Sequence, residues 1–122
     1  MPKRLPVTVV DDDESVRESL PDLLKELGYD AQAFSSAADF LASDDLRQTK
    51  CLILDIAMPG MSGPDLQRKL IGRQQKIPII FMTAHGVGEV ISRVMADGAV
   101  ACLLKPFSED SLLTAIGQAL PG

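Results

Sequence analysis

The chain is short of positive charge. Twelve lysines and arginines stand against 17 aspartates and glutamates in 122 residues, a net charge of −5. A nucleic-acid-binding surface needs a basic face, so binding of DNA or RNA through this chain is not expected. No apolar stretch is long enough to span a bilayer and no signal-peptide pattern opens the sequence, which points away from a membrane and towards a cytoplasmic setting. Cysteine occurs twice, as Cys51 and Cys102, each inside an apolar run. Two small buried hydrophobes in a reducing compartment are expected there, not a disulfide. The single histidine, His85, sits beside Gly86. It is expected to be a bystander at the mouth of a site and not a metal ligand. There is no internal repeat, linker or low-complexity tract. The length suits one domain over residues 1–122, large enough for a real core.

What the chain does have is acid placed at the ends of apolar runs. The run Leu5-Pro6-Val7-Thr8-Val9-Val10 stops at Asp11-Asp12-Asp13, and Cys51-Leu52-Ile53-Leu54 stops at Asp55. Without Asp11, Asp12, Asp13 and Asp55, 13 acids face 12 bases, so the net acidity is largely this group. Two further runs end in polar groups: Ile79-Ile80-Phe81-Met82 in Thr83, and Leu103-Leu104 in Lys105-Pro106.

Five short apolar runs alternate with five helix-like segments. Strands are predicted over 7–10, Asp30–Phe34, Cys51–Asp55, 79–82 and Ala101–Leu104. The first helix is predicted over 14–27, with Gly28 as its stop and Pro21 kinking or loosening it. Ser36-Ala-Ala-Asp39 reads as a capping box opening a short helix through Leu41, and Ser62-Gly-Pro-Asp65 caps a third helix. A fourth spans 87–96, with Val87, Val90, Ile91, Val94 and Met95 on its inner stripe and Gly98 beyond it. Ser108 caps a fifth, which runs to about Leu120. Pro121-Gly122 reads as a tail or the start of a linker. The alternation predicts an α/β fold: a doubly wound, five-stranded parallel sheet of flavodoxin-like (βα)5 type with strand order 2-1-3-4-5. In that order the winding reverses between strands one and three, and ligands bind at the carboxyl ends of the strands at the reversal. Asp11-Asp12 and Asp55 stand at those ends.

The residue types there suit phosphoryl and metal chemistry. Asp55 is the candidate nucleophile, since a carboxylate accepts a phosphoryl group as an acyl phosphate. Asp11 and Asp12 are the candidate Mg²⁺ ligands, because Mg²⁺ takes oxygen donors and is held by one or two carboxylates plus phosphate oxygen. Thr83 offers a hydroxyl to a phosphoryl oxygen and Lys105 a point charge. Ala57 has no polar side chain, so only its backbone carbonyl could reach the metal. Each residue alone has a plainer reading. A strand-end aspartate caps the next segment, an acidic run sits well before a helix N-terminus, threonine is common in strands, and a strand-end lysine is usually solvated. Asp13 and Glu14 fit the plain reading, as first-turn residues of the first helix. Lys105-Pro106 is expected to be a cis peptide, which would aim Lys105 back at Asp55.

Taken together, an acid pair after strand one, Asp after three, Thr after four and Lys-Pro after five resemble the receiver domains of two-component response regulators. The resemblance covers nearly the whole chain. It is carried by Val9-Val10-Asp11-Asp12, Leu54-Asp55-Ile56-Ala57-Met58-Pro59-Gly60-Met61-Ser62-Gly63, Met82-Thr83-Ala84-His85-Gly86 and Leu104-Lys105-Pro106-Phe107. Thr83-Ala-His-Gly and Ser36-Ala-Ala-Asp-Phe-Leu look most like the FixJ-type subfamily. The resemblance implies that a sensor histidine kinase phosphorylates Asp55, that Asp11, Asp12, Asp55 and the Ala57 carbonyl hold Mg²⁺, and that Thr83 and Lys105 sense the phosphoryl group. It further implies that a face of the fourth helix, fifth strand and fifth helix then changes, to be read by an effector or a phosphorylation-dependent homodimer. Any DNA-binding output domain would lie outside this chain. Such a domain catalyses its own phosphorylation and dephosphorylation and is not otherwise an enzyme. The chain departs from the family at Cys102, where many receivers carry a Tyr or Phe that moves inward on activation.

Three alternatives compete with this reading. A haloacid-dehalogenase-like Mg²⁺ phosphatase would carry a second aspartate two residues after the nucleophile, where this chain has Ala57. A flavodoxin-like cofactor binder would want a Ser/Thr/Gly-rich phosphate loop after strand one, where this chain has acid. A degenerate receiver serving only as an interaction module would be expected to have lost some of the five site residues.

Overall fold

The structure, a computed structural model, describes residues 4–84 and 88–120. His85, Gly86 and Val87, like the Pro121-Gly122 tail, lie outside the described residues. Within them the chain runs β1 (Pro6–Val10), α1 (Glu14–Glu26), β2 (Asp30–Phe34), α2 (Ala37–Ala42), α3 (Asp45–Gln48), β3 (Cys51–Asp55), α4 (Gly63–Gly72), β4 (Ile79–Thr83), α5 (Gly88–Ala96), β5 (Ala101–Leu104) and α6 (Glu109–Ala119). The strands form one parallel sheet in the order β2-β1-β3-β4-β5, as expected.

β3 and β4 are buried along their whole length, as strands covered by helices on both faces must be. Alternate side chains feed two cores. Val7, Val9, Ile53, Ile80 and Met82 pack with Leu20 and Leu24 of α1 and Leu112 and Ile116 of α6. Val10, Leu52, Leu54 and Phe81 pack with Phe40 of α2, Leu66 and Leu70 of α4 and Val94 of α5. No helix among the described residues is long and apolar enough to cross a membrane. Cys51 and Cys102 are both free thiols. Burial pushes the Cys51 thiol up to about 12, so it remains protonated.

Several local expectations need correction. α2 falls on the short helix expected after Ser36, and α3 is a further helix that was not expected. The Ser36 box is half formed: Ser36 Oγ accepts from the Asp39 N–H, but the Asp39 carboxylate takes the Ser35 hydroxyl at 3.5 Å. At Ser62 both halves form. Pro21 is buried within α1, which continues unbroken through it to Glu26. On α5 only Val94 is fully buried and Met95 is 41% exposed, so the inner stripe is narrower than the sequence suggested. The reason lies in its neighbour: β5 is the edge strand, half-buried to exposed, and gives α5 little to cover. Cys102, on that strand, is half-buried and not a core thiol.

Candidate functional site

Parallel register assembles the site. Val10 pairs with Leu54, so the residues that follow them, Asp11 and Asp55, emerge side by side. Asp55 is level with Met82, and Thr83 with Leu104, so Lys105 follows one step beyond Thr83. Backbone bonds carry the ladder past the strand ends: Asp11 N–H donates to the Phe34 carbonyl at 3.2 Å, Ile56 N–H to Met82 at 3.0 Å and Lys105 N–H to Thr83 at 2.8 Å. Lys105-Pro106 is cis, as predicted.

Asp11 is wholly buried, Asp55 is 7% exposed and Asp12 is exposed. One carboxylate oxygen from each lies within 4.8 Å of the others, and among the described residues this is the one acidic group so arranged. Lys105 Nζ is 2.7 Å from Asp11 Oδ2 and 3.6 Å from Asp55 Oδ1. Burial raises the Asp55 carboxyl to about 6; Asp11 and Asp12 push the same way, and Lys105 only partly offsets them. For Lys105, burial favours the neutral amine, but the bond to Asp11 and the charges of Asp11 and Asp55 outweigh it and hold the ammonium above its ordinary range.

The acidic turn is held from two sides. Asp13 N–H donates to Asp11 Oδ1 at 2.9 Å, and Asp13 caps α1 by accepting from the Ser15 N–H at 2.9 Å. The Arg17 guanidinium, one turn into α1, donates to the Asp11 carbonyl at 3.0 Å. Beside Asp55 a cavity of about 350 Å³ is lined by Ala57, Thr83, Ala84, Val90 and Lys105. All six residues proposed from the sequence, Asp11, Asp12, Asp55, Ala57, Thr83 and Lys105, are therefore at one edge of the sheet, and Ala57, Thr83 and Lys105 line the cavity with Asp55.

Two supporting residues escaped the sequence reading. Arg17 carries no signal, since six residues separate it from Asp11. Gly63 reads in the sequence only as part of a helix cap. Its N–H donates to the Ile56 carbonyl at 3.0 Å, and a Cβ there would lie 2.3 Å from the Asp55 carbonyl oxygen. Glycine, having no Cβ, is the residue that permits such a close approach.

The chain is similar to known proteins over most of its length. The family model for the response regulator receiver domain matches residues 7–117. The response regulator protein TmoT of Ectopseudomonas mendocina is 43% identical over 114 residues, which cover 93% of this chain and 52% of that protein. The transcriptional regulatory protein FixJ of Azorhizobium caulinodans is 38% identical over 120 residues, covering 98% of this chain and 57% of that one. Among solved structures, the response regulator StyR superposes with a TM-score of 0.89 at 47% identity, over 97% of this chain and 60% of that chain. FixJ-N superposes with a TM-score of 0.86 at 35% identity, over 100% of this chain and 99% of that one. The chain spans about half the length of the curated relatives it matches.

Proposed function

The chain belongs to the response regulator receiver domain family of two-component signalling, and from that premise we propose that Asp55 accepts a phosphoryl group from a phosphohistidine of a sensor histidine kinase in a Mg²⁺-dependent reaction. One observation carries the reading: a 7%-exposed carboxylate, Asp55, shares its cavity with a threonine and a lysine and lies within 4.8 Å of two further carboxylates. The haloacid-dehalogenase alternative draws no support from the comparisons.

The donor set fits Mg²⁺. Asp11, Asp12 and Asp55 offer only carboxylate oxygens, with the Ala57 carbonyl as a fourth candidate. Bound there, Mg²⁺ would offset the crowded negative charge and that of the transferring phosphoryl oxygens. Asp55, raised only to about 6, is mostly ionised at neutral pH and so is a competent nucleophile. Its oxygen attacks phosphorus, the P–N bond to the kinase imidazole breaks, and the departing nitrogen keeps the electron pair and takes up a proton from solvent to leave neutral imidazole. An acyl phosphate remains on Asp55. Lys105 leaves Asp11 to pair with a phosphoryl oxygen, and the Thr83 hydroxyl donates to another. In this reading the domain catalyses its own phosphorylation and the later hydrolysis.

The output follows from the elements next to Thr83 and Lys105. Met95 on α5, Leu104 on β5 and Leu113 on α6 are exposed apolar residues, which supports this face as the one read by an effector or a second copy. Three of the relatives are transcriptional regulatory proteins by name. We extend that role to this protein, with the DNA-contacting part outside residues 1–122 and the setting cytoplasmic. Incubation with a small acyl-phosphate donor and Mg²⁺ tests the site. One phosphoryl mass is expected on the wild type, none on Asp55→Asn, and none after chelation. Uptake by Asp55→Asn, or uptake indifferent to chelation, would overturn the reading.

A further inference from the structure

Gln67 lies on α4, one turn after Gly63, and is 2% exposed. Its Nε2 donates to the Val94 carbonyl of α5 at 2.9 Å, and its Oε1 meets no donor among the described residues. Burying an amide with half its capacity unmet is costly, and an apolar residue of the same size would avoid the cost. The bond it does make therefore invites an explanation.

Val94 is where α5 is fixed. It is the one fully buried residue of that helix. Its carbonyl also accepts from the Ala99 N–H at 3.0 Å, while Gly98 N–H donates to Met95 at 3.1 Å with Gly98 at φ +106°. This is a left-handed helix end, closed back on the last turn. At the other end of the bond, the start of α4 is locked against β3: Gly63 bonds Ile56 and approaches the Asp55 carbonyl too closely for any side chain. The C-terminal turn of α5 is thus joined, through Gln67 and the first turn of α4, to the strand that carries Asp55. The opposite end of α5 faces different groups. Val90, one turn before Val94, lines the cavity at Asp55 together with Thr83.

We infer that Gln67 is a tether that makes Val94 a fulcrum, so that a change at Thr83 and Val90 tilts the first part of α5 while its last turn stays with α4. The tether itself is a property of the resting fold; its effect on signalling rests on the phosphorylation of Asp55 proposed above. The face then alters by rotation around a fixed turn, not by translation of a whole helix.

Amide exchange by mass spectrometry on wild type and Gln67→Met, each with and without acyl-phosphate donor and Mg²⁺, tests this. Methionine keeps the volume and removes both the bond and the unmet acceptor. In the resting state, exchange at Gly98 and Ala99 should quicken roughly two- to ten-fold in the variant, the range expected for one net hydrogen bond. On phosphorylation, wild-type exchange should change over residues 88–93 and stay constant over 94–99; in the variant the change should reach 94–99. Phosphoryl uptake, read as mass gain, should be the same in both. Should Gln67→Met fail to fold, Gln67→Asn, one methylene too short to reach Val94, is expected to give the same pattern. Unchanged resting exchange at Gly98 and Ala99 would overturn the tether. A wild-type response already extending through 94–99, or one that halts at Val94 in the variant too, would overturn the fulcrum. A wild type that gains no phosphoryl mass would instead sink the reading of Asp55, leaving the tether to be judged on the resting comparison.

Discussion

Lys105 pairs with Asp11, at 2.7 Å, more closely than with Asp55, at 3.6 Å. Asp11 is wholly buried, so the ammonium is its main compensation in the metal-free fold. Breaking a fully buried pair costs about 3–5 kcal/mol; Lys105 keeps some contact with solvent, and a smaller loss of about 2 kcal/mol is expected for Lys105→Met. Urea melts without metal should show this, and saturating Mg²⁺ should recover part of it. An equal loss with and without Mg²⁺ would mean that the lysine and the metal do not share Asp11.

Asp12 is the exposed member of the acidic group and has the least structural work to do. Asp12→Asn should remove like-charge crowding, leaving the metal-free fold as stable as the wild type or more so. It should also shrink the rise in melting temperature caused by Mg²⁺. A wild type whose melting ignores saturating Mg²⁺ would count against any specific site here.

The pH dependence follows from Asp55, whose carboxyl is raised to about 6 by burial and by Asp11. An unfolded aspartate titrates near about 3.9. Between those values the folded chain holds a proton that the unfolded chain has lost, so metal-free stability from this group falls as pH rises from about 4 to about 6 and is level above. Mg²⁺ needs the ionised form, so its affinity should rise over the same interval. Denaturant melts across this range, compared with Asp55→Asn, isolate the contribution. The slope should be flatter in the variant, and identical slopes would contradict it.

The inner strands were legible because a parallel sheet covered on both faces demands apolar runs, and the edge strands β2 and β5 because short runs bounded by turn residues fall between the helical segments. β2, β3 and β5 fall on the residues expected. The site was legible for the same reason: register places strand ends together, so naming the ends of β1, β3, β4 and β5 names the site. What could not be read depends on the third dimension. α3 is a four-residue helix, too short for periodicity to show. The outward turn of Met95 depends on how little β5 presents to α5, and the choice of Asp11 over Asp55 as the partner of Lys105 depends on side-chain reach.

Gly63 is the clearest case of a constraint that spacing conceals. Alanine there would place Cβ 2.3 Å from the Asp55 carbonyl and 3.0 Å from the Phe81 ring, and the nearer neighbour is backbone that cannot rotate away. Gly63→Ala is expected to cost about 1–3 kcal/mol, the range for overpacked cores, and to slow phosphoryl uptake by displacing β3 at the nucleophile. Gly72→Ala, with open space around its Cβ, is the control. Equal melting of the two variants would remove this account.

Cys102 bears on how the signal leaves the site. It stands in register with Phe81, is half-buried on the edge strand, and packs on the cluster that holds Val94. Burial raises its thiol, which keeps it neutral. A group this small fills little volume by moving inward and exposes little by moving out, so it cannot do what a swinging aromatic ring does. In the reading proposed above, the change passes from Thr83 to α5 through Val90, which lines the same cavity. Two variants separate the possibilities. Cys102→Ala should leave the phosphorylation-induced change in exchange over residues 88–93 intact, because the thiol transmits nothing. Cys102→Tyr should fold with a stability change within about 1 kcal/mol, since the position is only half-buried, and should add a response at β5 that the wild type lacks. If Cys102→Ala abolishes the change over 88–93, the thiol is part of the relay and the path through Val90 is insufficient.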